Sequence, residues 1–146
     1  MKQQIIESVN RFFNAVDKQD WQECERLMTD QVLLDYSSMG AGDAALLAKG
    51  DIIGSWKGLL PGFDSTHHQL GNAVVDMEGE DAAHFYSYVT ATHFIAGEDG
   101  EVWTVVGSYD IKLGRADNLW RINALKLNFK YQSGNQNLSA AAQARV

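Results

Sequence analysis

The chain has 146 residues, 45% of them hydrophobic and 21% charged, which is enough for one well-filled core and too little for two. Twelve basic against nineteen acidic side chains leave a net charge of −7 with no basic cluster, so nucleic acid and anionic membrane surfaces are repelled and a small molecule, or another copy of the chain, is the expected partner. No apolar run approaches the roughly 18 residues that span a bilayer, no signal-peptide pattern opens the chain, and the single Cys24 supports neither a disulfide framework nor a cysteine-based zinc site, which together fit a cytoplasmic protein.

From Gln3 to Asp17 the apolar residues Ile5, Ile6, Val9, Phe12, Phe13 and Val16 recur at three- and four-residue steps, the stripe of an amphipathic helix. Asp20, followed three residues later by Glu23, starts a second helix with a capping-box pattern, its inner face being Trp21, Cys24, Leu27 and Met28. Gln31 to Ser37 reads as a short strand. The glycine-dotted stretch from Gly40 to Gly62 carries two helix-like pieces, Asp43–Ala48 and Asp51–Leu60, whose apolar side chains are placed to cover a cavity.

Four long segments rich in β-branched and aromatic residues follow, about His67–Met77, Ala82–Ala96, Val102–Leu113 and Leu119–Tyr131. Short turn-rich stretches separate them: Glu78–Asp81, Gly97–Gly100 and Gly114–Asn118. They predict an antiparallel meander. Residues 1–132 form one domain on this reading, and 133–146 are a polar, then alanine-rich tail, either a frayed helix or disordered. Helices first and a long curved antiparallel sheet afterwards define an α+β fold, a cone wrapped on its N-terminal helices with a mouth suited to a ligand.

Within that frame several titratable residues fall where apolar ones belong. Asp17 continues the buried stripe of the first helix one turn beyond Phe13, and it is an anion at a helix C-terminus, where the macrodipole opposes it. Either it has a compensating partner or the helix frays first and Asp17 faces water. His68 opens the first long strand and His93 lies near the end of the next. A two- or four-residue hairpin loop puts the two imidazoles on one face, and a three-residue loop puts them on opposite faces. His67 and His84 read as surface or edge residues. Metal-ligand spacing, a nucleophile elbow, a phosphate loop and a dinucleotide fingerprint are all missing from the sequence, so no metal and no cofactor are expected.

The order of elements, with AVDKQDW, CERLMTDQVLLDY, STHHQLGN and LWRINALKLNFKYQSGN, resembles the SnoaL-like branch of the nuclear transport factor 2-like superfamily over about Gln4 to Asn137. The chain looks most like the scytalone dehydratase group, with a looser likeness to hexachlorocyclohexane dehydrochlorinase. The resemblance implies a catalytic aspartate at Asp17, a tyrosine at Tyr36 after Asp35, a catalytic histidine at His68 three residues before Gly71, and a second histidine at His93. Val16 stands where the dehydratase has a second tyrosine, and Gly107 and Tyr109 stand where it has a pocket serine and asparagine, so the same substrate is not expected.

The implied chemistry is a cofactor-independent lyase or isomerase. Asp17 would orient His68 as a general base on a C–H beside a carbonyl, while Tyr36, His93 or a water donates to the oxygen that gains charge. Trp56, Phe63, Leu70, Val89 and Tyr109 are the candidate substrate contacts, for a largely apolar cyclic molecule. The alternative is a non-catalytic small-molecule-binding or dimerisation domain of the same fold. A homodimer or homotrimer is expected, because the outer sheet face, with Trp103 or Trp120 according to register, is too apolar to stay wet.

Overall fold

A computed structural model describes residues 1–97 and 101–146. The first helix, α1, spans Lys2–Lys18 and buries Ile5, Val9, Phe12, Phe13 and Val16, the stripe its sequence spacing predicts. Its end is set by backbone geometry. Gln19 adopts a left-handed conformation (φ 58°), the Gln19 N–H donates to Val16 O (3.0 Å) and the Asp20 N–H to Ala15 O (2.9 Å). This Schellman-type turn stops the helix just past Asp17. The Asp20 carboxylate then caps α2, Trp21–Arg26, by accepting from the Glu23 N–H (3.2 Å), while the Glu23 side chain pairs with Arg26 instead of closing the box.

Six strands make one sheet in the order β2-β1-β6-β5-β4-β3. They are β1 Met28–Asp35, β2 Ala45–Ala48, β3 Ser65–Met77, β4 Ala82–Ile95, β5 Glu101–Ala116 and β6 Leu119–Gly134, with α3 at Lys49–Lys57 between β2 and β3. The sheet is curved and unclosed, with the helices on one side, an α+β architecture. Two expectations change here. Asp43–Ala48 is not helical: Ala45–Ala48 pairs antiparallel with Gln31–Leu34 as β2. The sheet is also not wholly antiparallel, since β1 runs parallel to β6. That contact joins segments some ninety residues apart (Met28 with Ile122, Leu34 with Leu125), so no turn residue encodes its sense.

The concave face holds the core. Along β4 the residues Ala83, Phe85, Ser87, Val89, Ala91 and His93 are all buried, and Val105, Tyr109, Ile111 and Leu113 meet them from β5. Trp103 and Trp120 belong to this inner side and not to the outer face: Trp103 stacks on His93 and Trp120 is fully buried. Gly107 sits where a Cβ would stand 2.2 Å from the Asn128 carbonyl oxygen, so a pocket side chain is sterically excluded at that position. The outer face exposes Leu33, Val74, Tyr88, Phe94, Val102 and Tyr131. The stretch read as a tail is structured. β6 continues to Gly134, and α4 (Leu138–Gln143) buries Leu138 and Ala142 completely. Gly62 allows this close docking, since its Cβ would fall 1.9 Å from Ala142 O. Of the expected turn at Gly97–Gly100, residues 98–100 lie outside the described residues.

The β3–β4 hairpin decides which of two adjacent histidines faces inward. Near the turn Met77 pairs with Ala83 and Val75 with Phe85. Carried straight along the strands, that register would pair His67 with His93 and turn His68 outward. One extra residue in β3 between Gly71 and Val74 shifts the pairing, so that Thr66 faces His93 and His68 faces Ala91. Asn72, at φ 59°, supplies the left-handed conformation in that bulge. Asn72→Gly should leave stability within about 0.5 kcal/mol, whereas a β-branched Asn72→Val should cost about 1–2 kcal/mol in urea unfolding. Deleting Asn72 removes the extra residue and leaves a continuous ladder with Gly71 opposite Tyr88 and His68 opposite Ala91, so His68 should stay inward and the downfield NMR resonance of its Nδ1–H should persist.

Candidate active site

Asp17 turns inward from the last turn of α1 and is met by three donors. The His68 ring Nδ1–H donates to Oδ1 (2.7 Å), the His68 backbone N–H to Oδ2 (2.8 Å) and the Thr66 hydroxyl to Oδ1 (3.0 Å). Burial alone would raise the Asp17 pKa, but the His68 hydrogen bonds, the His68 charge and Thr66 together outweigh it and hold the carboxyl below its ordinary value. The group is therefore a fixed anion at neutral pH. With Nδ1–H committed to the carboxylate, His68 presents Nε2 as its basic nitrogen. The two side chains remain 18% and 11% exposed, so the pair is reachable from outside.

His93 is a diagonal neighbour of His68, with ring centroids 6.3 Å apart and the planes nearly perpendicular (78°). It is packed between Trp103 (4.4 Å, stacked) and Phe63 (5.0 Å). Its Nδ1–H donates to the Trp103 carbonyl (3.0 Å). Burial, aided by the His68 charge, lowers its pKa to about 4 even though the carbonyl bond pulls the other way. His93 is thus neutral with its proton on Nδ1, and Nε2 offers a lone pair. In that state His93 Nε2 is placed to accept a hydrogen bond rather than to donate one.

Tyr36 lies just beyond β1, where the Asp35 carboxylate accepts from the Ser37 N–H (3.0 Å) and hydroxyl (2.6 Å) and bends the chain. Burial raises the pKa values of the Tyr36 phenol and of its neighbour Tyr109, Tyr109 the more strongly, with Tyr36 and Asp17 adding to the rise at Tyr109. Tyr36 therefore keeps its own proton available. Tyr109 in turn stacks on Phe13 (4.9 Å, 22°), and Phe13 lies 5.4 Å from the His68 ring. Phe13 thus lies between the His68 ring, which Asp17 holds and His93 neighbours, and Tyr109.

Among the other expected contacts, Leu70 borders a cleft of about 300 Å³ between α1 and the edge strand β3, along with Asn10, Phe13, Asn14, His67, His68 and Gln69. Phe63 packs on His93 from within, Val89 is buried beside Leu70 on the neighbouring strand, and Trp56 packs on Phe12 (6.0 Å). Three participants were absent from the sequence reading. Thr66 is two residues before His68 and so shares its face, a parity that was legible in principle. Asn14 and Asn10 lie three and seven residues before Asp17, on the same side of α1. His67 contacts Gln69 (3.3 Å), and His84 pairs with Asp110 (2.7 Å), both away from the core. Among the described residues no group of three or more histidine, cysteine or acidic side chains is placed to hold a metal ion, and no helix is long and apolar enough to cross a membrane.

The neutral state of His93 links the site to stability. The unfolded chain takes up a proton below about pH 6.5, whereas the folded ring resists it until about pH 4. Stability is therefore fully present above the upper value and falls as the pH drops through the window. His93→Gln should flatten the urea-unfolding free energy between these values, removing a loss of about 3 kcal/mol at most.

Solved structures similar to this chain share the whole fold. A protein of Kribbella flavida, Kfla4162, is 26% identical over 99% of this chain and 97% of its own, with a TM-score of 0.84. A Novosphingobium aromaticivorans protein provisionally named a scytalone dehydratase is 17% identical over 92% of this chain and 87% of its own, at 0.79. The hexachlorocyclohexane dehydrochlorinase LinA-type3 of Novosphingobium barchaimii is 14% identical over 92% and 90%, at 0.72. No curated protein matches the sequence. The model of the SnoaL-like domain matches residues 2–126, and on that match the chain belongs to the SnoaL-like family.

Proposed function

We propose that the protein is a cofactor-independent lyase or isomerase, in which His68 removes a proton from a carbon beside a carbonyl of a small cyclic substrate. The observation that carries this reading is the Asp17–His68 pair: the carboxylate takes both the ring and backbone N–H of His68, a residue that lines a cleft, and leaves Nε2 without a hydrogen-bond partner among the described residues. The C–H bond breaks as its proton passes to Nε2, and the electron pair moves into the carbonyl to form an enolate. Asp17 stabilises the resulting imidazolium, and the Tyr36 hydroxyl donates to the enolate oxygen. Collapse of the enolate expels a β-hydroxyl, which leaves as water with the proton returned by His68. Return of that proton to a different carbon gives isomerisation instead. His93 Nε2 accepts from the departing hydroxyl or from the water it becomes. Dehydratases and dehydrochlorinases among the similar folds favour elimination over other uses of the same pair.

The exposed apolar residues of the outer sheet face suit a second copy of the chain, and a homodimer or homotrimer accompanies this reading. Gel filtration separates the two.

Turnover is measurable as enone absorbance on a set of cyclic β-hydroxy ketones. His68→Ala and Asp17→Asn should each lower kcat by about 10²–10⁴-fold with unchanged circular dichroism. Tyr36→Phe should cost about 10²-fold, as for one oxyanion donor. Ligand binding without turnover in the parent protein would establish the binding-domain alternative instead, and equal turnover in His68→Ala would overturn the role given to His68.

A further inference from the structure

The face of α1 that carries Asp17 also carries Asn14 and Asn10, one and two helical turns earlier. All three border β3, and Asn10 and Asn14 line the cleft together with Phe13 and His68. At 1.5 Å per residue the two carboxamides lie about 4.5 and 10.5 Å from Asp17 along the helix axis. Neither has a hydrogen-bond partner among the described residues, whereas Asp17 is fully engaged. Asparagine is one of the weaker helix formers, and two occur mid-helix on this one side.

The opposite wall is the edge strand. The His68 N–H points away from β4, toward Asp17, and backbone direction alternates along a strand, so the Leu70 N–H also leaves the ladder on the cleft side. The cleft therefore begins at a base and an aromatic ring and runs out along unpaired amide groups. Apart from the two histidines its lining is uncharged. A carboxamide both donates and accepts, and so suits a neutral hydroxyl, carbonyl or amide rather than a phosphate or carboxylate, which would call for a cation.

We infer that Asn14 and Asn10 form the specificity subsite of this cleft, holding a neutral hydrogen-bonding group of the substrate roughly 5–10 Å from the carbon that His68 deprotonates. The inference rests on the lyase or isomerase reading. It makes the substrate a two-ring or similarly elongated molecule with an oxygen at each end, and it makes the far end of the site polar where the sequence suggested an apolar lining.

Two phenols test this without a known substrate. 2-Naphthol places one enol-like oxygen at the base, and 2,6-dihydroxynaphthalene adds a second at the far end. Followed by NMR titration, the diol should bind the parent protein about fivefold more tightly, the value of one added neutral hydrogen bond. In Asn10→Ala/Asn14→Ala that preference should vanish while 2-naphthol affinity is unchanged; alanine at exposed helix positions does not threaten folding. Equal affinities in the parent protein, or a preference that survives the double substitution, would overturn the subsite. If the preference behaves as expected but His68→Ala retains full turnover of the hydroxy ketones, the subsite stands and the role given to His68 fails.

Discussion

An anion in the last turn of a helix meets the negative end of the macrodipole, at a cost of roughly 0.3–1 kcal/mol. Asp17 is in that position and is partly removed from water as well. Three donors offset both penalties, and all three come from β3. One of them, the His68 backbone N–H, is a group that an edge strand would otherwise leave without a partner. The carboxylate thus joins α1 to the open edge of the sheet and at the same time orients an imidazole. Its removal would leave a strand donor, a hydroxyl and a ring N–H unpaired together, each costing about 1–3 kcal/mol where water cannot replace the bond.

That junction requires the correct histidine to face inward, and the bulge at Asn72 secures it. A strand has a side-chain period of two, so a single inserted residue exchanges the whole set of inward and outward positions. Here the register set by the Glu78–Asp81 turn and the register needed at the Asp17 end differ by that one residue. The bulge lets the turn close in its own favoured way while Thr66, His68 and Leu70 all present to α1 and the core. Local turn geometry and the demands of the site are met by separate stretches of the same strand.

The residues that signal this arrangement are the ones whose position violates a local rule. Asp17 on an apolar stripe, and the inward His68 and His93, stand out because helix and strand periods make their placement anomalous. The long strands and the two opening helices are legible for the same reason. Features that depend on distant pairing are not. The hairpin could be read with either parity, because Asn72 carries no mark in the sequence that a bulge begins there. Ala45–Ala48 has the composition of a helix and becomes a strand because β1 offers it an edge. The parallel contact of β1 with β6, and the burial of Leu138 and Ala142, are set by surfaces assembled from the whole chain. Thr66 and the paired asparagines follow local periodicity, but their types are common on exposed faces, and only the neighbouring base gives them meaning.

Burial and hydrogen bonding set different protonation states for the titratable groups near His68. Asp17 is held ionised by its donors, so one negative charge is built into the site at rest. On the proposed reading, a proton taken by His68 Nε2 would sit beside the Asp17 anion as an ion pair. A second proton is disfavoured at His93, where burial and a charged His68 both oppose it. The two phenols hold their protons more tightly than in water, so they donate hydrogen bonds without titrating. The proposed roles follow this division: one group to accept a proton, one to accept a hydrogen bond, and one to donate a hydrogen bond. On the proposed reading such a set would move a single proton off carbon and back to oxygen or carbon, and the geometry behind it begins with the helix turn that aims Asp17 at the edge of the sheet.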